Sequence, residues 1–156
     1  PRDVALGFVS KREVFWIPLV GWVMGLLGHV PVERTDKQSG RKALSTCREK
    51  LASTRKWSVV FFPEGSRPRT PVLGDFKVGA FKLAAETGVP VVPLTLRGTR
   101  EAMPPGQELS FLAERRTLEL VVGQPIRPNA ASHPEDLRDA CRAAIAAALA
   151  DDRTVA

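Results

Sequence analysis

Apolar and polar positions follow two rhythms along the chain. Short continuous apolar runs recur, and between them apolar residues return at helical spacing. Residues 4 to 9 (VALGFV) predict a strand, and 14 to 27 an apolar helix. HVPVER, 29 to 34, predicts a short strand, and 39 to 54 a helix whose Leu44, Cys47 and Leu51 share one face. WSVVFF, 57 to 62, is continuously apolar and predicts a strand buried on both faces if its sheet is parallel. A helix over 77 to 87 should stop at Gly88 and Pro90. VPVVPLTL, 89 to 96, predicts a strand whose prolines belong near its ends or at an edge, and RTLELVVG, 116 to 123, another strand. The last helix spans 134 to 150. Ser132 and Glu135 stand at capping-box spacing around Pro134, and Leu137, Cys141, Ala144, Ile145 and Ala148 form one apolar stripe.

Alternation of strands and helices predicts an α/β fold with a largely parallel central sheet flanked by helices. The 156 residues suit a single domain, 1 to 156, without internal repeats. In such sheets ligands bind beyond the carboxyl ends of strands, so the segments just after each strand carry the candidate chemistry.

Composition narrows the picture modestly. A net charge of +6 and a pI near 9.9 favour an anionic partner: nucleic acid, an acidic membrane surface or a phosphate-bearing substrate. Cys47 and Cys141 lie far apart, with no C-x-x-C or Cys/His cluster, so reduced buried thiols and no metal site are expected, as suits a cytosolic setting. No secretory signal pattern is present, and the opening at Pro1, just ahead of a strand, reads as a fragment. Residues 14 to 32 carry no acid or base, but Pro18, Pro31 and three glycines interrupt them. A break near Gly28 leaves a helix of about fifteen residues, short of the ~20 needed to cross a bilayer. An interfacial helix, a core helix and a span remain open, with Trp16 and Trp22 favouring the interface.

Three polar clusters follow predicted strands: Lys11 to Glu13, Glu33 to Asp36, and Pro63 to Arg69. In parallel strands Arg34 and Arg67 can converge at one rim, where two guanidinium forks make a good phosphate site. Gly65 allows close backbone approach, Ser66 can donate to an oxygen, and Glu64 can hold an arginine or accept from a hydroxyl. Lys77 and Lys82 stand near a helix start, where a bound anion would offset their unfavourable position. The plainer alternative is that these are solvated loop residues, and Lys11 and Glu13 are expected to be so.

These segments resemble the glycerolipid acyltransferase family, the 1-acylglycerol-3-phosphate acyltransferases and their relatives. FFPEGSRPR is similar to the family's F-P-E-G-T-R-S block, with Ser66 in place of threonine. GHVPVER resembles the block that ends in a phosphate-binding arginine, here Arg34. GVPVVPLTLRGTR resembles the V-P-[IV]-V-P block. FVSKREVFWIPLVGWVMGLLG and FKVGAFKLAAETG resemble the stretches between the first two blocks and after the third. The likeness covers about Val4 to Ile126.

It implies transfer of a fatty acyl group from a thioester, acyl-CoA or acyl carrier protein, to lysophosphatidic acid or a related glycerol-phosphate acceptor. No metal or resident cofactor is implied. Arg34 and Arg67 would bind the phosphate, Glu64, Gly65 and Ser66 would orient the glycerol, and Lys77 would add positive potential. It also implies association with a membrane surface on its cytoplasmic face.

The family's base is the histidine of an H-x4-D motif. Here the same spacing leads from His29 to Arg34 and from His133 to Arg138, so neither histidine fits. The expectation is an acyltransferase domain incomplete at its N-terminus and inactive alone. The alternative is a non-catalytic lipid- or membrane-binding member. Nucleic-acid binding is not expected, since the basic residues are dispersed and there is no tyrosine or recognised motif.

Overall fold

A computed structural model describes residues 4–33, 35–68, 70–102, 104, 117–129 and 131–151. The chain divides into two compact units, Pro1–Gly65 and Ser66–Ala156.

The first unit runs β1 (Ala5–Lys11), a 3-10 helix (Arg12–Trp16), α1 (Val20–Leu26), β2 (Val30–Val32), α2 (Lys37–Ala52) and β3 (Trp57–Val60). Its sheet is parallel, in the order β2-β1-β3. Val9, Ser10 and Lys11 of β1 face Val30, Pro31 and Val32, while Ala5 to Phe8 face Trp57 to Val60. β1 therefore serves one neighbour with each half, and β2 lies nearer the carboxyl edge than β3. Pro31 is tolerated because β2 is an edge strand and needs no donor on its outer side.

α2 starts where Asp36 accepts from the backbone N–H groups of Gln38 (2.8 Å) and Ser39 (3.1 Å), a side-chain cap that satisfies two otherwise orphaned donors. Its inner face buries Ala43 and Cys47. At the opposite edge of the sheet, the Trp57 ring lies under the Lys50 ammonium, 3.9 Å from the ring centroid, with Arg55 at 5.1 Å. His29, just before β2, accepts from the Phe8 N–H through Nδ1 at 3.0 Å and meets the Phe8 ring edge to face. It is thus a structural tie between β1 and β2.

Two expectations for this unit need correction. The stretch 14 to 27 is not one helix. Pro18 and Leu19 break it: Leu19 has φ 66° and ψ −51°, and the Val20 N–H donates to the Pro18 carbonyl at 2.8 Å, a γ-turn. β3 is not buried on both faces either. It is an edge strand of this sheet, Ser58 is exposed, and its remaining residues are only half-buried.

The second unit holds α3 (Gly79–Thr87), β4 (Leu94–Arg97), a short α4 (Thr99–Ala102), β5 (Glu119–Val122) and α5 (Pro134–Ala150). β4 and β5 pair antiparallel, Leu94 opposite Val122 and Leu96 opposite Leu120, so the parallel sheet is a property of the first unit. The strand expected over 89 to 96 is shorter, because Pro90 and Pro93 lack donors. Ahead of β4 an isolated bridge joins Val91 to Ile126, and the Pro93 carbonyl accepts from the Gly123 N–H at 2.9 Å.

Phe76, Phe81, Leu137 and Cys141 form the core of this unit, with Leu73, Val91, Ile126 and Ile145 packed against it. Burying a side chain such as Phe81 contributes roughly 1.5–3 kcal/mol. α3 begins at Gly79 rather than 77, leaving Lys77 ahead of it, and ends with the Gly88 N–H donating to the Ala84 carbonyl. α5 opens on His133, with Pro134 in the first turn and Glu135 and Asp136 complementing the macrodipole. Ser132 is not its cap: its hydroxyl accepts from the Asn129 N–H and donates to the Asn129 side chain, which removes it from the expected capping box. Ala144 is exposed, so the buried stripe narrows to Leu137 and Cys141, flanked by partly covered Ile145 and Ala148.

Candidate functional site

The site begins where β3 ends. The Phe62 carbonyl accepts from the Gly65 N–H at 3.0 Å, closing a turn with Pro63 and Glu64 at its centre. Each residue type there has a physical reason. Proline presets the φ that the second turn position requires and cannot extend the strand ladder. Gly65 sits at φ 72°, where a Cβ would be strained. The strand thus stops abruptly, and Glu64 is left half-buried on the turn.

β2, β1 and β3 run parallel, with Lys11 facing Val32 and Phe8 facing Val60. Glu64 therefore leaves the same carboxyl edge as the segment after β2. That segment is pinned to the first turn of α2. The Glu33 N–H donates to the Ser39 hydroxyl at 2.9 Å, and the Asp36 N–H to the Glu33 carbonyl at 3.3 Å. Arg34 lies outside the described residues, and its meeting with Arg67 stays an expectation. Lys11 and Glu13 form an ion pair at 2.8 Å on the same edge, both substantially exposed, in keeping with a surface role.

Ser66, Arg67 and Lys77 belong to the second unit, and all three are exposed. Lys77 follows directly on Phe76, a core residue, so its backbone is anchored while its side chain is solvated. Lys82 is exposed in the first turn of α3.

Two residues that the sequence reading passed over support these segments. Ser39 fixes the approach to Arg34, and its position three residues after Asp36 is the readable signal. Arg142 of α5 donates from Nε to the Gly74 carbonyl (3.2 Å) and from Nη2 to the Leu73 carbonyl (3.1 Å). No local pattern announces that contact, because it links segments far apart in the chain.

Neither cysteine is placed to act as a nucleophile. Burial pushes the Cys47 thiol up to about 11, with Lys50 opposing the shift, and burial raises Cys141 as well. A reactive cysteine needs the opposite shift.

A parallel edge carrying a Pro-Glu-Gly turn and flanked by basic residues defines a class, and comparison identifies it. The model of the acyltransferase family matches residues 2–97, and the chain belongs to that family. It is 43% identical over 142 residues to a 1-acyl-sn-glycerol-3-phosphate acyltransferase of Chlamydomonas reinhardtii, covering 91% of this chain and 41% of that protein. It is 44% identical over 119 residues to the chloroplastic 1-acyl-sn-glycerol-3-phosphate acyltransferase of Arabidopsis thaliana, covering 76% of this chain and 32% of that one. The chain thus spans well under half the length of these relatives. Its fold is similar to the crystal structure of the 1-acyl-sn-glycerophosphate acyltransferase PlsC from Thermotoga maritima, with a TM-score of 0.73 at 21% identity, over 99% of this chain and 68% of that one.

Proposed function

We propose that this chain forms the acceptor-binding part of an enzyme that acylates 1-acylglycerol-3-phosphate. The observation that carries the reading is the turn at Phe62–Gly65, which ends a strand of a parallel sheet just ahead of Ser66 and Arg67. The activity named for these relatives agrees with it.

In the reaction, the free glycerol hydroxyl attacks the thioester carbonyl of acyl-CoA or an acyl carrier protein. The new ester bond forms as the carbon–sulfur bond breaks, and the thiol leaves with the proton that a base has taken from the hydroxyl. Arg34 and Arg67 bind the phosphate, each able to donate to two oxygens. Glu64 and Ser66 orient the glycerol, Gly65 gives close backbone access, and Lys77 adds positive potential. No His-x4-Asp pair occurs in this sequence, so the chain binds the acceptor without turning it over.

The test uses a protein that joins this chain to a segment bearing a His-x4-Asp pair. Arg67→Ala should raise the acceptor KM by roughly ten- to a hundredfold, the equivalent of a charge-assisted hydrogen bond. An unchanged KM, or turnover by the 156-residue chain alone, contradicts the reading.

A second reading, a lipid-surface module on the cytoplasmic face of a membrane, has its own support. Trp16, Leu19, Trp22 and Leu26 are 70%, 69%, 75% and 89% exposed. No helix among the described residues is long and apolar enough to cross a membrane. A short apolar anchor resting at the interface fits both facts. The two readings are compatible, since the acceptor is itself a lipid.

A further inference from the structure

Ser66, Arg67 and Lys77 all lie on one strap, residues 66 to 77, whose described part forms no helix or strand. No ladder of main-chain hydrogen bonds fixes its course, so its position depends on what its side chains and carbonyls touch. Leu73 and Phe76 pack into the apolar cluster with Phe81, Leu137 and Cys141. One polar hold is Arg142, half-buried on α5, which grips the consecutive carbonyls of Leu73 and Gly74 at 3.1 and 3.2 Å.

α5 is in turn fixed near its far end. Arg97 of β4 donates through Nε to the Ala148 carbonyl at 2.9 Å, donates through Nη2 to the same oxygen, and pairs with Glu119 at 2.8 Å. The helix that holds the strap is therefore secured to the β4–β5 pair. It also lies beyond the residues that the family model matches.

We infer that Arg142 is a positioning residue for acceptor binding, holding the strap just ahead of Lys77 so that the phosphate-binding side chains start from a fixed backbone. The inference rests on the assignment of Arg67 and Lys77 to the acceptor phosphate. A planar guanidinium suits the task, because two of its N–H groups reach two neighbouring carbonyls at once, whereas an ammonium is a single compact donor centre. The clamp also ties the negative ends of two carbonyl dipoles to a cation, so they do not turn toward a bound anion.

Calorimetric titration of this chain with a soluble short-chain 1-acylglycerol-3-phosphate tests it. Arg142→Met should weaken binding about tenfold, and Arg142→Lys about threefold, as one or part of a charged hydrogen-bond pair is lost. Arg138→Ala, which removes a partner of Asp139 on the same helix, should bind as the parent does. Amide exchange over 73 to 77 should quicken in Arg142→Met, a local loosening that a general loss of stability does not produce. Parent-like affinity in folded Arg142→Met, alongside weakened Arg67→Ala, overturns the inference. If Arg142→Met does not fold, Arg142→Lys decides, and parent-like affinity with parent-like exchange overturns it. If Arg67→Ala also binds as the parent does, the site assignment falls first and the inference with it.

Discussion

Phe62, Pro63, Glu64 and Gly65 show how single residues end a strand in the turn that opens the proposed site. The apolar run supplies the ladder, proline ends it, and glycine at positive φ turns the chain so that Ser66 and Arg67 follow at once. A second glycine does comparable work inside the fold. Gly28 has φ 78°, and a Cβ there would lie 2.6 Å from Trp57 Cη2 and 3.0 Å from Lys50 Nζ. The ring cannot retreat freely, because Lys50 covers its face. Gly28→Ala should therefore cost about 2–3 kcal/mol, combining left-handed strain with displacement of the ring. Gly25, in α1 with open space where its Cβ would go, gives the opposite expectation. Gly25→Ala should stabilise the helix by roughly 0.5–1 kcal/mol. Urea unfolding of the two variants checks both signs, and equal effects contradict the packing argument.

At the scale of elements, the 3-10 helix and α1 are the part that solvent treats worst. With the residues that join and follow them, they expose Trp16, Ile17, Leu19, Trp22, Val23, Leu26 and Leu27, where a core helix would bury such residues. The γ-turn at Leu19 keeps the segment in two short pieces, so its apolar side chains spread outward rather than along one stripe. A lipid interface is the cover proposed above for this surface. Trp22→Glu with Leu26→Glu should lower partitioning to vesicles of phosphatidylcholine and phosphatidylglycerol by about tenfold or more, at the usual worth of buried apolar area. Unchanged co-sedimentation contradicts the interfacial assignment.

Element identity was largely legible in the sequence where period and end signals agree. α2 carries its apolar face and α5 its proline, whereas the Asp36 cap went unread and α2 starts two residues earlier than the expected 39. Legibility failed where a tertiary partner decides. Ser132 turned to Asn129 rather than capping α5, β3 came to an edge, and the second strand pair ran antiparallel.

For the whole molecule, charge and site separate. Residues 37–56 hold seven basic side chains and one acid, an excess of six that equals the net charge of the chain. The +6 therefore belongs to α2 and the loop after it, and the strap's two arginines and lysine are local features set against a balanced remainder. The sequence marked Glu64, Gly65, Ser66 and Arg67 because their residue types follow a predicted strand, and Lys77 because it stands near a predicted helix start. It could not mark Arg142, whose role depends on α5 packing back onto Leu73 and Gly74.

The central claim is that the turn and strap recognise a phosphate. Calorimetry of this chain with short-chain 1-acylglycerol-3-phosphate and with the matching 1-acylglycerol, which differs only in lacking the phosphate, tests it most directly. The account predicts that the phosphate form binds at least about tenfold more tightly, and that Arg67→Ala removes most of the difference. Equal affinity for the two ligands, or a difference that survives in Arg67→Ala, contradicts it.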